Sequence, residues 1–185
     1  MSRLSIRKKI TLNLAQQDDG VRWYFDLLPE LLDNISSCKP ALAYCFQQIE
    51  AAQRAGLYAL LMREYRTDSE LTWKAVDRLD ITRKNLSEFF ERISGKQLDA
   101  RGRTIIAAAE STRDAITHGR EKSDAQIMTA IESCLEYAKF LNQEFDEKVG
   151  FRPVRQLRGV TSKRGVGQLD KKISKAVLTG LHFPV

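Results

Sequence analysis

The sequence predicts an all-α protein on the basis of two observations. First, apolar residues recur every three or four positions over long stretches, which is the period of a helix with one buried face. Second, residue types that commonly begin and end helices bracket these stretches, with Ser or Pro at the starts and Gly at the ends. The strict alternation typical of strands has little support in any segment. We therefore expect an up-and-down helical bundle of about five helices.

Five segments carry the helical pattern together with these boundary signals: residues 40–66, 69–79, 86–95, 99–118 and 123–150. The segment before Pro40 is also apolar, but Pro29 lies inside it, and proline beyond the first helical turn costs about 3 kcal/mol. Two structures are therefore compatible with this segment. One is a helix that starts at Pro29, and the other is a longer helix with a kink. The composition shows no internal repeat.

The C-terminal region reads differently from the rest of the chain. A Gly- and Arg-rich run at residues 152–167 predicts an extended linker. Beyond it, apolar residues at helical spacing predict a short final helix over residues 168–180, with the stripe Leu169, Ile173, Val177 and Leu178. We expect a helical bundle at residues 1–150 and a basic extension at residues 151–185.

The positive charge of the protein lies in this extension. The whole chain has a net charge of +6. Residues 151–185 hold eight Lys and Arg against one Asp, a net of +7, so residues 1–150 carry a net of −1. Such an arm either attracts phosphate backbones by releasing counterions or packs on the acidic bundle of its own chain or of a dimer mate. The sequence leaves both alternatives open.

Composition favours one compact domain, since the chain has 185 residues of which 43% are apolar. Residues 1–10 alternate basic and apolar side chains, so we expect no secretory signal. Without 18 consecutive apolar residues, we expect a cytoplasmic protein that does not enter a membrane. The cysteines Cys38, Cys45 and Cys134 lack the spacing of metal ligands. We therefore expect reduced core thiols, with no metal and no cofactor.

The segment from Arg113 to Gly119 contains the residues best suited to chemistry. Arg113 is a permanent cation and falls within the apolar stripe of its helix, whereas His118 is one of only two histidines and exchanges a proton near neutrality. Cleavage of a phosphodiester by a neighbouring hydroxyl needs both groups, because the cation stabilises oxyanion charge and the imidazole moves the proton. Five residues turn an ideal helix by about 500°, so His118 would lie about 140° from Arg113 unless the helix unwinds there. Gly119 is the residue type that ends helices in a left-handed turn.

An Arg, a small polar residue, a His and a Gly that lead into a long final helix resemble the HEPN superfamily (higher eukaryote and prokaryote nucleotide-binding domains). The resemblance covers residues 40–148 and, more loosely, residues 171–183. It implies an all-α bundle, a homodimer with two motif copies in one cleft, and metal-independent endoribonuclease activity in toxin–antitoxin or phage-defence systems. RNA would be the substrate, and an antitoxin protein a possible partner.

The same resemblance assigns roles to three residues. It implies that Arg113 binds the phosphate, that Asp114 orients its partners and that His118 is the general acid or base. Many members of the superfamily have Asn after the Arg, so Asp114 introduces a negative charge at that position. We expect alanine at Arg113 or His118 to leave the fold nearly unchanged, because both side chains would serve a cleft.

Three alternatives to a ribonuclease remain open at this stage. Arg113 could pair with an acid of a neighbouring helix while His118 only caps its own helix. The chain could be a non-catalytic HEPN module that binds a protein partner, a nucleotide or a nucleic acid. It could also be a basic-tailed nucleic-acid-binding protein whose bundle only dimerises.

Overall fold

The computed structural model describes residues 3–33, 37–81, 83–155 and 167–185, and its regular structure there is entirely α-helical. Within these ranges there is no strand, so the all-α prediction is confirmed. The described residues form nine helices: α1 Arg3–Ala15, α2 Asp19–Tyr24, α3 Leu28–Asp33, α4 Lys39–Tyr65, α5 Ser69–Asp77, α6 Arg83–Ser94, α7 Arg101–Thr117, α8 Asp124–Val149 and α9 Lys171–Gly180.

The five helices predicted from periodicity correspond to α4 through α8, and local sequence explains their ends. Before α8, the Ser123 Oγ accepts a hydrogen bond from the Gln126 amide while the Gln126 side chain accepts one from the Ser123 amide. This reciprocal arrangement is a capping box, which satisfies two donors of the first turn. Gly95 ends α6 with φ of 70°, a conformation that favours glycine.

The N-terminal region contains three helices where the sequence left alternatives open. Helix α1 was not predicted, and among its residues 7–15, whose burial the structure describes, the buried ones are Ile10 and Leu14. Helices α2 and α3 are separate, and α3 begins at Leu28, so Pro29 lies in its first turn. Proline is tolerated there because the missing N–H would have no helical partner. The first of the two alternatives for this segment, a helix that starts near Pro29, is therefore observed.

The chain divides into two compact units, which we describe separately. Unit 1 consists of the described residues of Met1–Glu50, Asp99–Glu144 and Val154–Gln156. Unit 2 consists of those of Ala51–Leu98, Phe145–Pro153 and Leu157–Val185. The sequence placed one boundary at residue 150 instead, and that boundary stays a prediction. The predicted linker at 152–167 falls largely outside the described residues.

Unit 1 contains α7, and close packing against α8 fixes this helix in place. Gly102 makes the approach possible, since a Cβ atom there would lie 2.4 Å from Cε1 of Phe140. Unit 1 also contains the three cysteines, and all of them are buried and free, as the sequence predicts for core thiols. Burial raises the pKa of the Cys45 thiol well above its usual range. These thiols therefore belong to the core.

In unit 2, the basic C-terminal segment packs against its own chain. Helix α9 contacts α5, and its buried side chains are Ser174 and Leu178, which are both 0% exposed. After the helix, Phe183 stacks on Phe89 with 4.6 Å between ring centroids. The predicted stripe is thus only partly right, because Ile173 is 49% exposed. Residues 169–183 of the extension therefore pack on their own chain, and binding of the extension to nucleic acid stays a prediction.

Polar contacts hold the same segment in register. The Leu169 amide donates to the Arg66 carbonyl at 2.8 Å, and the Asp68 amide donates to the Ser174 Oγ at 2.7 Å. At the surface, Lys171 lies 3.1 Å from a Glu70 oxygen. Hydrogen bonds from Lys74 and Lys171 lower the pKa of Glu70 to about 2. Part of the charge predicted to attract phosphates is therefore compensated within unit 2.

None of the helices in the described ranges is long and apolar enough to cross a membrane.

Candidate active site at the end of helix α7

Helix α7 presents one buried face to unit 1, and Arg113 lies at the edge of that face. The buried residues are Gly102, Ile106, Ala109, Thr112 and Ala115. The Arg113 side chain is 37% exposed, so it is neither a core residue nor a fully solvated one. The prediction that Arg113 faces a neighbouring helix is therefore correct, although part of the side chain reaches solvent.

The neighbour of Arg113 is helix α4, which contributes Phe46 and Glu50 from successive turns. The guanidinium carbon of Arg113 lies 4.6 Å from the centroid of the Phe46 ring, which is the geometry of a cation–π contact. Its Nη1 lies 3.5 Å from Oε1 of Glu50. Phe46 itself is 5% exposed, so the ring forms a fixed base for the guanidinium.

Asp114 binds the same guanidinium from the next position in the helix. Its Oδ1 accepts hydrogen bonds from Arg113 Nε at 3.1 Å and from Nη2 at 3.0 Å. The structure therefore pairs Asp114 with Arg113, and the orienting role expected of Asp114 stays a prediction. Together, Glu50 and Asp114 place two carboxylates around one cation, so this group of three side chains has a net charge of −1.

His118 is the C-terminal capping residue of α7, and its environment is open. Its amide still donates to the Asp114 carbonyl at 3.0 Å, as in a continuing helix. The side chain is exposed and makes no hydrogen bond or ion pair within the part of the chain that the structure describes. The imidazole is therefore accessible to a substrate and to water.

The turn after His118 ends the helix in the way that the sequence predicts. Gly119 has φ of 73°, its amide donates to the Ile116 carbonyl at 3.0 Å, and the Arg120 amide donates to the Ala115 carbonyl at 2.8 Å. These two bonds form a Schellman motif. The left-handed residue is Gly119, and His118 before it is the capping residue, where the helical conformation ends.

This helix end has a consequence for the two candidate catalytic residues. The His118 amide keeps its hydrogen bond to the Asp114 carbonyl, and an ideal helix would place this residue about 140° around the axis from Arg113. At His118 itself the backbone leaves the helical conformation, with φ of −88° and ψ of 19°. The structure thus joins Arg113 to Asp114 and leaves His118 apart.

Sequence reasoning missed Phe46 and Glu50. The only sequence signal was a weak one. It consists of an aromatic residue and an acidic residue that are separated by one turn of a helix predicted to pack in the bundle. Many such pairs occur on surface helices, and only the position of Arg113 against α4 distinguishes this one.

Arg113 also influences the buried thiol of Cys134 on α8. Burial raises the pKa of Cys134 well above its usual range, the neighbouring Cys45 adds to the increase, and the positive charge of Arg113 acts in the opposite direction. The guanidinium of Arg113 is therefore close enough to the core to lower the pKa of the Cys134 thiol.

In the described ranges no three His, Cys, Asp or Glu side chains form a group that could hold a metal ion. Comparison with known proteins gives no match: no protein-family model, no curated protein and no solved structure is significantly similar to this chain.

Proposed function

We propose that this protein is a metal-independent endoribonuclease of the HEPN type and acts as a homodimer, as the toxic component of a toxin–antitoxin or phage-defence pair. The observation that carries the proposal is the exposed His118 imidazole at the end of the helix on which Asp114 orients the half-exposed Arg113 guanidinium. A proton carrier and an oriented cation are the two groups that this reaction needs.

In the proposed reaction, His118 takes the proton from a ribose 2′-hydroxyl, and the resulting oxygen attacks the adjacent phosphorus. A bond forms between the 2′-oxygen and phosphorus while the bond from phosphorus to the 5′-oxygen breaks. The leaving oxygen takes up a proton from water, and the products carry a 2′,3′-cyclic phosphate and a 5′-hydroxyl. Arg113 stabilises the negative charge that develops on the phosphate oxygens.

The dimer supplies what one chain lacks. On an ideal helix Arg113 and His118 would lie about 140° apart, so the proposal does not require one copy to bring both groups to one phosphate. A two-fold axis near the end of α7 would place the Arg113 of one copy beside the His118 of the other, and would do so twice. The proposal therefore assigns catalysis to a shared cleft.

Purified protein is expected to cleave a single-stranded RNA in the presence of EDTA and to leave a DNA strand of the same sequence intact. The reason is that the attacking group is the 2′-hydroxyl, which DNA lacks, and that no metal ion takes part in the step. Gel analysis of labelled strands measures both reactions. Cleavage of both strands, or a requirement for magnesium, would contradict the proposed mechanism.

A second candidate function has one specific observation in its favour. The two carboxylates around Arg113 already compensate its charge, as in the alternative where Arg113 pairs across a helix interface and His118 only caps α7. On that account the chain is a non-catalytic module of the same superfamily that binds a protein partner, a nucleotide or a nucleic acid. It predicts that wild-type protein cleaves neither strand.

A further inference from the structure

The two carboxylates around Arg113 differ in how tightly they bind it. Asp114 contacts Nε and Nη2 at 3.1 and 3.0 Å, which is normal hydrogen-bond distance. Glu50 is 3.5 Å from Nη1. Asp114 therefore makes the two shorter contacts with the guanidinium, and Glu50 makes the longer one.

The remaining contacts define where a phosphate could reach the guanidinium. Phe46 covers one face of the group from 4.6 Å, and Asp114 occupies the edge formed by Nε and Nη2. The donors left for an anion from solvent are those of Nη1 and the second N–H of Nη2, and Glu50 lies beside Nη1. The side chains of Glu50 and Arg113 are 42% and 37% exposed, so this position is accessible.

Charge makes the position unfavourable for an anion while Glu50 is there. The carboxylates of Glu50 and Asp114 both lie beside the guanidinium, and each of them repels a phosphodiester that approaches it. Movement of Glu50 away from Nη1 removes one negative charge from contact and frees donors that match phosphate oxygens.

We propose that Glu50 occupies the phosphate position of Arg113 in the free protein and is displaced by a phosphodiester of the RNA, while Phe46 holds the guanidinium in place. This inference rests on the proposed function, because it assigns the bound phosphate to an RNA substrate. Glu50 then lowers the affinity of the site for RNA without touching the reacting atoms. The protein binds RNA more weakly than it would if Arg113 had no carboxylate at Nη1.

The test is the affinity of Glu50→Gln for RNA, measured by fluorescence anisotropy of a labelled single strand in a His118→Ala background that prevents cleavage. Exposed ion pairs of this kind correspond to about a two- to fivefold change, so Glu50→Gln should tighten binding by about that factor at low salt. The gain should shrink as salt rises, because screening weakens exposed charges. Glu50→Asp keeps the charge but shortens the side chain by one methylene, and a smaller gain is expected.

Two controls separate a local effect from a general change in charge. Glu30→Gln makes the same change of charge at an exposed position of α3 in unit 1, and it should leave the affinity unchanged. In an Arg113→Ala background, Glu50→Gln should also have no effect, since the competing cation is gone. Melting curves show whether each variant is folded.

Equal tightening by Glu30→Gln, or no tightening by Glu50→Gln and Glu50→Asp in folded protein, would overturn the inference. If the wild-type chain still cleaves RNA in that case, the proposed function stands without it. If the wild-type chain cleaves no RNA and Arg113→Ala does not weaken binding, the proposed function fails together with the inference.

Discussion

His118→Ala is expected to lower the rate of RNA cleavage by about 10²- to 10⁴-fold, the usual contribution of a general acid or base. The melting temperature should hardly change, because the side chain is exposed and has no partner within the described residues. Initial rates on a labelled RNA and thermal melts measure the two quantities. The matched control is His182→Ala, which removes the other histidine, in unit 2, and should keep full activity.

Arg113→Ala is expected to lower the same rate by about 10²- to 10³-fold, as for the loss of one group that stabilises an oxyanion. Here the melting temperature should also fall, because the variant loses the contacts with Phe46 and Glu50. For a partly exposed group these contacts are together worth about 1 kcal/mol. The expectation from sequence, that both motif residues leave the fold nearly unchanged, is thus kept for His118 and revised for Arg113.

Two outcomes would count against these roles. Wild-type activity in His118→Ala would mean that the histidine carries no proton in the reaction. Arg103→Ala serves as the control for Arg113, because Arg103 is an exposed arginine on the same helix. An equal loss of activity in both arginine variants would indicate a general effect of positive charge instead of a specific phosphate contact.

Removal of residues 167–185 is expected to destabilise unit 2 strongly. If the segment acted only through its positive charge, the fold would not need it. The deletion uncovers the surface now buried by Leu178 and Phe183, and full burial of each such side chain contributes about 1.5–3 kcal/mol. A loss of about 3–6 kcal/mol follows, as an upper estimate because the unfolded chain already buries some surface. Urea denaturation measures the free energy of unfolding.

Point variants give a finer version of this comparison. Leu178→Ala should cost about 2–5 kcal/mol, as for other buried leucines. Ile173→Ala on the same helix should change stability by less than about 0.5 kcal/mol, because Ile173 is exposed. Equal effects of the two variants, or a deletion that leaves the unfolding midpoint unchanged, would show that α9 does not cover a core.

Periodicity and capping residues were sufficient to predict α4 through α8, because these helices bury broad apolar faces and end at residues such as Gly95 and Gly119. They were not sufficient for α1, where Ile10 and Leu14 are the buried positions among residues 7–15 and the basic run at residues 7–9 precedes them. In α9 the apolar pattern indicated Ile173, whereas the structure buries Ser174. The Ser174 hydroxyl accepts a hydrogen bond from the Asp68 amide. Because these two residues are far apart in the sequence, the spacing of apolar residues in α9 does not reveal this contact.

The same distinction holds for the candidate site. The motif itself is a local pattern, so sequence was enough to identify Arg113, Asp114 and His118 as candidates and to predict the turn at Gly119. The partners of Arg113 on α4 depend on how two distant segments pack, and no local rule gives that. In the proposed function the shared cleft would need a second copy of the chain, and a local sequence pattern does not show how two copies would meet.

The most direct test of the central claim is mass spectrometry of the ends produced when wild-type protein and His118→Ala act on the same RNA in EDTA. Attack by the neighbouring hydroxyl predicts fragments with a 2′,3′-cyclic phosphate and a 5′-hydroxyl from the wild-type protein, and intact RNA from the variant. Intact RNA from both proteins would contradict the claim, as would fragments with a 5′-phosphate or equal cleavage by the two proteins.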